Sequence, residues 1–159
     1  PARRRGGLFP PGDRRMKICV QREDFDAGIE MKLISGNGKA GAIASFVGLV
    51  REVPMTLEHY AGMTEREIGK IVEQAKARWA VMDATVIHRY GELQPADQIV
   101  LVAVASAHRG DAFAACEFIM DYLKTRAPFW KKEQRGEGAR WVEAKASDDE
   151  AAQRWEKGG

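Results

Sequence analysis

The spacing of apolar residues along the chain predicts a mixture of strands and helices. Segments that alternate apolar and polar residues, or that hold short β-branched runs between turns, are typical of strands. Such segments lie at 17–22, 42–50, 55–60, 84–90 and 98–107. A short helix is expected over 25–34, because Gly36 and Gly38 follow its last apolar position and glycine commonly ends helices.

The clearest helical pattern starts near Met63. Positions at helical spacing are apolar, namely Ile68, Ile71, Val72, Ala75 and Trp79. Thr64 and Glu67 have the spacing of a capping box, and Met63 can pack onto Ile68 as a hydrophobic staple. The sequence therefore predicts a long helix that Thr64 caps.

A second long helix is expected between Asp111 and Pro128. Asp111 is a favourable N-cap, and a residue before proline rarely stays helical, so the helix should end near Arg126. Strands over 129–134 and 140–145 and a short helix from Ser147 complete the prediction. Because strands and helices do not alternate regularly, the predicted class is α+β, with residues 16–159 in one domain.

The composition is that of a globular protein whose basic residues are unevenly distributed. Of the 159 residues, 45% are hydrophobic and 30% are charged, and no apolar run is long enough to span a membrane. Residues 1–15 carry five Arg and one Asp, and we expect them to be a disordered basic extension or a cloning scar. The remaining residues have a net charge of −2, which argues against a nucleic-acid binder.

The cysteines and histidines do not suggest a metal site. Cys19 and Cys116 lack metal-ligand spacing, so we expect no metal or cofactor and a reducing, cytoplasmic location. His59 and His88 alternate with apolar residues on predicted strands. Each is therefore expected to be a hydrogen-bonded core or interface residue.

Residues 36–41 match the G-x-G-x-x-G pattern of dinucleotide-binding loops. That function requires a strand before the pattern and a helix after it, so that the helix N-terminus meets the pyrophosphate. In this chain the predicted order is a helix followed by a strand. The pattern therefore predicts an ordinary turn.

Two groups of cationic residues are candidates for binding or catalysis. His108 and Arg109 lie where a strand passes into a helix, which favours an anion such as phosphate, although a solvated surface loop would look the same. Lys124 falls at the edge of the apolar face of the second helix. It either extends along apolar surface to reach water or acts as a base or nucleophile in a partly dry pocket.

The segment after the second helix interleaves aromatic residues with lysines. Phe129 and Lys131 should share one face of the strand, and Trp130 and Lys132 the other. Such a segment can stack on a nucleobase or a pterin, or it can be an ordinary amphipathic strand. A cluster of positive charge in a body of net negative charge favours a small anionic ligand over a long polyanion.

Several collinear motifs resemble the large subunits of molybdopterin synthases. The longest is the run over residues 121–133, DYLKTRAPFWKKE. The others lie at 56–60, 62–64, 86–89, 91–93, 106–109 and 140–143. Together they cover about residues 16–155 in order, which is far more specific than any single short pattern.

This resemblance implies an α/β hammerhead-type fold with an additional α+β subdomain. It also implies a homodimer of large subunits within a heterotetramer, in which a small ubiquitin-like sulfur carrier binds each end. The carrier's thiocarboxylated C-terminus would donate two sulfurs to cyclic pyranopterin monophosphate and form the dithiolene of molybdopterin, with no cofactor. The alternative is a non-catalytic docking module for such a carrier.

The resemblance also assigns roles to individual residues. Lys124 and Lys131 match the catalytic positions. The matching substrate-binding positions are Arg51, His108, Arg109, Lys132, Leu49, Val50 and Glu133. Two departures concern this set: Leu49 stands where some members have lysine, and only three residues separate Arg51 from Met55, where members often carry a longer loop.

Overall fold

The computed structural model describes residues 16–36, 38–135, 138–142 and 146–157. The expectations for residues 1–15 lie outside this part of the chain. The described elements, in chain order, are β1 (Lys17–Gln21), α1 (Ala27–Ile34), β2 (Ala42–Leu49), β3 (Met55–His59), α2 (Met63–Arg78), β4 (Val81–Arg89), β5 (Gly91–Leu93), β6 (Gln98–Ser106), α3 (Arg109–Arg126), β7 (Phe129–Arg135), β8 (Gly138–Val142) and α4 (Ala146–Lys157).

The described strands form two sheets. The first has the order β1-β4-β6-β2, with β1 parallel to β4 and the other pairs antiparallel. The second has the order β5-β3-β7-β8 and is antiparallel throughout. Helices packed beside two mostly antiparallel sheets confirm the predicted α+β class. Among the described residues, no helix combines the length and apolar character needed to cross a bilayer.

The core lies on both faces of the first sheet because neighbouring strand residues point to opposite sides. Val86 packs with residues of α2 and α3, including Ile71 and Phe118, in the larger cluster. Its neighbour Ile87 packs with Leu101 and with Ile34 of α1 in a second cluster. All six side chains are almost completely buried. Burial of this apolar surface fixes α3 across the sheet, so the ends of α3 mark the two ends of the sheet.

The residue that caps the N-terminus of α2 differs from the predicted one. The helix begins at Met63 with Gly62 as N-cap, and the Glu65 carboxylate accepts the backbone N–H of Gly62 at 2.6 Å. The predicted capping box of Thr64 and Glu67 is therefore wrong. Thr64 is instead completely buried, and its hydroxyl donates to the carbonyl oxygen of Pro128 at 3.0 Å.

The second long helix also starts earlier than predicted. It begins at Arg109 with His108 as N-cap, and the predicted cap Asp111 lies inside its first turn. A carboxylate there still interacts favourably with the positive end of the helix dipole. The helix ends at Arg126, as predicted, and Ala127 is extended.

The G-x-G-x-x-G pattern follows α1 and precedes β2, which is the predicted order and the opposite of the order in a dinucleotide-binding loop. Gly41 is required there for a different reason. A Cβ atom at this position would lie 2.2 Å from the backbone carbonyl oxygen of Ala107, and backbone cannot move aside cheaply. The close approach is stabilised by the Gly41 N–H, which donates to the Ser106 carbonyl at 2.9 Å.

Replacing Gly41 with alanine is expected to lower the free energy of unfolding by about 1–3 kcal/mol, the usual cost of overpacking. Gly110→Ala is the matched control, since nothing lies within 4 Å of a Cβ atom there and alanine favours helices. Urea unfolding of both variants measures the difference. Equal stability of the two variants would contradict the close contact at Ala107.

Candidate functional site

The candidate residues fall into two groups at opposite ends of α3. His108 and Arg109 are exposed where the helix begins, whereas Lys124 is exposed in its last turn. At a rise of 1.5 Å per residue, Arg109 and Lys124 are separated by about 22 Å along the helix. We call the region around Lys124 the lysine end and the region around His108 and Arg109 the anion end. Within one copy of the chain, the two groups do not meet.

Strand register places Arg51 at the lysine end. Leu49, the last residue of β2, is the register partner of Gln98, the first residue of β6. The chain reaches the anion end only after β6 has ended at Ser106. Arg51, two residues beyond Leu49 and exposed, therefore lies at the end of the sheet to which α3 returns.

Lys131 is held on β7 by a carboxylate of the same strand. Its ammonium nitrogen lies 2.7 Å from Oε1 of Glu133, and the two side chains share one face of the strand. Lys131 pairs with Leu57 of β3. Substrate binding by Glu133 stays a prediction. Lys132 is partly buried and points to the opposite face.

A stacked pair of rings lies beside the strand that carries Lys131. The imidazole of His88 lies parallel to the ring of Phe129, with centroids 3.7 Å apart and planes 20° apart. Phe129 is two residues before Lys131 and on the same face of β7, about 7 Å away along the strand. On the other side, the charge of Lys124 is one of the causes that lower the pKa of His88. The ring of His88 thus stacks on a residue near Lys131, and the charge of Lys124 acts on the same ring.

The environment of His88 keeps its ring neutral. Burial lowers the pKa of His88 to about 4, the hydrogen bond to Arg89 opposes this, and the charges of Lys124 and His59 lower it further. Nδ1 lies 2.8 Å from the carbonyl oxygen of Arg89. The ring of His59 packs against Tyr90, with centroids 4.2 Å apart. His88 therefore fits the prediction of a hydrogen-bonded core or interface residue, whereas His59 is partly buried and packs against Tyr90.

The pKa of His88 predicts a specific acid sensitivity. Above pH 6.5 the ring is neutral in both states, so it makes no difference to stability. Between pH 6.5 and about 4 the unfolded chain binds a proton that the folded chain does not, which favours unfolding by up to about 3 kcal/mol. The His88→Phe variant has no imidazole to protonate, so it should not show this loss of stability at acid pH. The unfolding free energies of both proteins at pH 7 and pH 4 measure this effect. An equal loss of stability between pH 7 and pH 4 in the wild type and in His88→Phe would contradict it.

The predicted site residues around Arg51 have different environments. The Leu49 side chain is exposed, whereas Val50 is buried in a small cluster with Met55 and Leu57. The backbone N–H of Val50 donates to the Asp97 carbonyl at 2.9 Å. Substrate binding by either residue stays a prediction, and only Leu49 offers an accessible side chain.

Sequence reasoning missed the stack of His88 on Phe129. Both residues were noticed, but only as a core histidine and an aromatic residue of an amphipathic strand. No local signal could join them, because they lie on strands of different sheets. Metal chemistry has no candidate in the described part of the chain, where no group of three His, Cys, Asp or Glu could hold an ion.

Comparisons with known proteins find one family. The model of the family described as MoaE protein matches residues 20–126, more than half of the chain. The molybdopterin synthase catalytic subunit of Ralstonia nicotianae is 58% identical over 146 residues, which cover 87% of this chain and 83% of that protein.

Solved structures agree with this finding. The molybdopterin biosynthesis MoaE protein of Burkholderia ambifaria has a TM-score of 0.79 and 51% identity, covering 89% of this chain and 99% of that chain. A complex of subunits 1 and 2 of the molybdopterin-converting factor from Helicobacter pylori has a TM-score of 0.66 and covers 81% of this chain and 90% of that one. Its 20% identity limits this likeness to the fold.

Proposed function

The chain belongs to the MoaE protein family, and from this premise we propose that it is the catalytic subunit of a molybdopterin synthase. In this function a small carrier with a thiocarboxylated C-terminus donates two sulfurs in turn to cyclic pyranopterin monophosphate, which forms the dithiolene of molybdopterin. The observation that carries the proposal is the lysine end, where the charge of Lys124 acts on His88 and the His88 ring stacks on Phe129, two residues before Lys131.

The two lysines can supply the charge and protons that sulfur transfer needs. Attack by the thiocarboxylate sulfur forms a carbon–sulfur bond and breaks a carbon–oxygen bond of the pterin side chain, so the departing oxygen gains negative charge. A lysine ammonium can protonate or stabilise it. Water then releases the carrier's acyl group as a carboxylate, and the sulfur stays on the pterin. We assign these tasks to Lys124 and Lys131.

The chain itself has no need to provide a sulfur nucleophile. Cys116 is buried on α3, and burial raises the pKa of its thiol to about 12, with a further contribution from the Glu117 charge. Little thiolate forms there at neutral pH, and thiolate is the reactive form. This supports a mechanism in which sulfur arrives on a partner. Since Cys19 and Cys116 are both free, we place the reaction in the reducing cytoplasm.

We assign binding of the substrate phosphate to Arg51, His108, Arg109 and Lys132. At the anion end, exposed side chains are combined with the first turn of α3, whose free N–H groups and dipole attract anions. Arg51 is at the other end, beside Leu49 and Val50. A small substrate cannot bridge the roughly 22 Å between Arg109 and Lys124 of one copy. A complete site therefore requires a second copy of the chain.

The exposed edge of the first sheet is suited to that second copy. β2 is the last strand of the sheet in the described residues, and it carries three exposed apolar side chains, Ile43, Phe46 and Leu49. Exposed apolar patches and unpaired edges commonly mark contact surfaces. If two β2 edges approach about a two-fold axis, the start of each strand faces the end of the other. The anion end of one copy then meets the lysine end of its partner.

We propose that a small sulfur-carrier subunit completes the enzyme as a heterotetramer. The Helicobacter structure is named as a complex of two subunits of a molybdopterin-converting factor, and this chain shares its fold. The carrier's tail has to reach the lysine end with its sulfur. Lys124 and Lys131 are exposed or partly exposed there, which leaves them accessible to such a tail.

The proposal is tested by mixing the protein with a thiocarboxylated carrier and cyclic pyranopterin monophosphate and assaying the dithiolene product. We expect product in proportion to the carrier consumed, at two carriers per pterin. Carrier binding in calorimetry without pterin binding or product would instead favour a docking module. The same mixture without the chain is the control.

A further inference from the structure

His88 is a residue that the proposed mechanism does not use, although it lies between the elements that carry both lysines. Its ring stacks on Phe129, which begins the strand of Lys131. Leu123, the neighbour of Lys124 on α3, is buried in the cluster against which Phe129 packs. Movement of the His88 ring would therefore disturb the helix end and the strand together.

The hydrogen bond of His88 determines which nitrogen carries its proton. A carbonyl oxygen can only accept, so the contact of 2.8 Å to the Arg89 oxygen requires a hydrogen on Nδ1. A neutral imidazole has one N–H group, and Nε2 therefore keeps its lone pair. Nε2 can accept a hydrogen bond from an ammonium without adding a second positive charge to the lysine end.

We propose that His88 is a positioning residue for sulfur transfer: its neutral ring, stacked on Phe129, accepts a hydrogen bond from the Lys124 ammonium at Nε2 and fixes that ammonium relative to Lys131. The inference rests on the proposed function. In this role, a core histidine sets the distance between the two catalytic amines. Errors of about 1 Å in such spacing can lower a rate by as much as 100-fold.

The test compares two substitutions that each preserve one nitrogen of the ring. In His88→Asn the side-chain amide can still donate to the Arg89 carbonyl, but nothing replaces Nε2. In His88→Gln the longer amide can place an oxygen near the position of Nε2. We expect kcat to fall about 30-fold in His88→Asn and less than about fivefold in His88→Gln. KM and the carrier Kd should change less than about twofold in both.

Stability is measured alongside kcat, since both variants lose the stacked ring. Ile87→Val, a mild change at the adjacent buried residue on the opposite face, is the control and should keep the wild-type kcat. Equal kcat values for the Asn and Gln variants, corrected for the folded fraction, would overturn the proposal. A purely structural histidine would give that result.

Phe129→Leu provides the test if neither His88 variant folds. It removes the stack but keeps an apolar side chain, and we expect kcat to fall about tenfold at unchanged KM. An unchanged kcat would overturn the proposal. Wild-type protein that forms no product would overturn the proposed function itself, whereas normal wild-type turnover with equal Asn and Gln variants would overturn only the role of His88.

Discussion

Replacing Lys124 with alanine is expected to lower the rate of dithiolene formation by about 100- to 1,000-fold. Loss of one preorganised charge at a transition state commonly has an effect of this size, equivalent to about 3–4 kcal/mol. Lys124 is exposed in the last turn of α3, so the melting temperature should barely change. The measurement is single-turnover product formation from thiocarboxylated carrier and pterin, with carrier binding followed separately.

The control for this experiment is Lys76→Ala. Lys76 is also an exposed lysine in the last turn of a helix, but it lies on α2, where it pairs with Glu73 at 3.7 Å. Its removal should leave the rate within about twofold of wild type, since exposed ion pairs contribute little. Normal turnover in Lys124→Ala would remove Lys124 from the mechanism.

Arg109→Ala is expected to lower kcat/KM by about 10- to 100-fold, mainly through KM. Its guanidinium would bind the substrate phosphate at the first turn of α3, and a hydrogen bond to a charged group is worth about 1.5–3 kcal/mol. Raising the salt concentration should weaken wild-type substrate binding more than that of the variant, because the variant has lost a charge contact. Carrier binding should not change.

Arg66→Ala is the matched control for Arg109→Ala. Arg66 is likewise an exposed arginine near a helix start, but it belongs to α2. Its KM should equal that of the wild type. If Arg109→Ala and Arg66→Ala raised KM equally, the effect would reflect net charge, and the anion end would have no specific role.

Local sequence patterns predicted most of the secondary structure, and the errors have non-local causes. The N-cap of α2 was wrongly assigned to Thr64, whose hydroxyl instead contacts Pro128, 64 residues away. The N-cap of α2 is Gly62, whose backbone N–H donates to the Glu65 carboxylate. β5 was not predicted because its three residues form a strand only through pairing with β3. Such contacts leave no periodicity in the sequence.

The candidate site could be predicted in part. Lys124 was noticed on the second long helix, Lys131 on the strand after it, and the His108–Arg109 pair before it, and the resemblance supplied their roles. The length of that predicted helix already implied that Arg109 and Lys124 are far apart in one copy of the chain. What the sequence could not show is the stack of His88 on Phe129, because it depends on how two sheets meet.

The most direct test of a site shared between two copies is to mix the impaired Lys124→Ala and Arg109→Ala proteins, dissociate and reassociate them, and assay at a substrate concentration well below KM, where both variants are slow. A mixed dimer would have one site with both defects and one with none. Since about half of the dimers in an equal mixture are mixed, activity should recover to roughly a quarter of the wild-type value. Recovery at that level is the result we predict. No recovery, with mixed dimers shown to form, would mean that each copy builds its site alone.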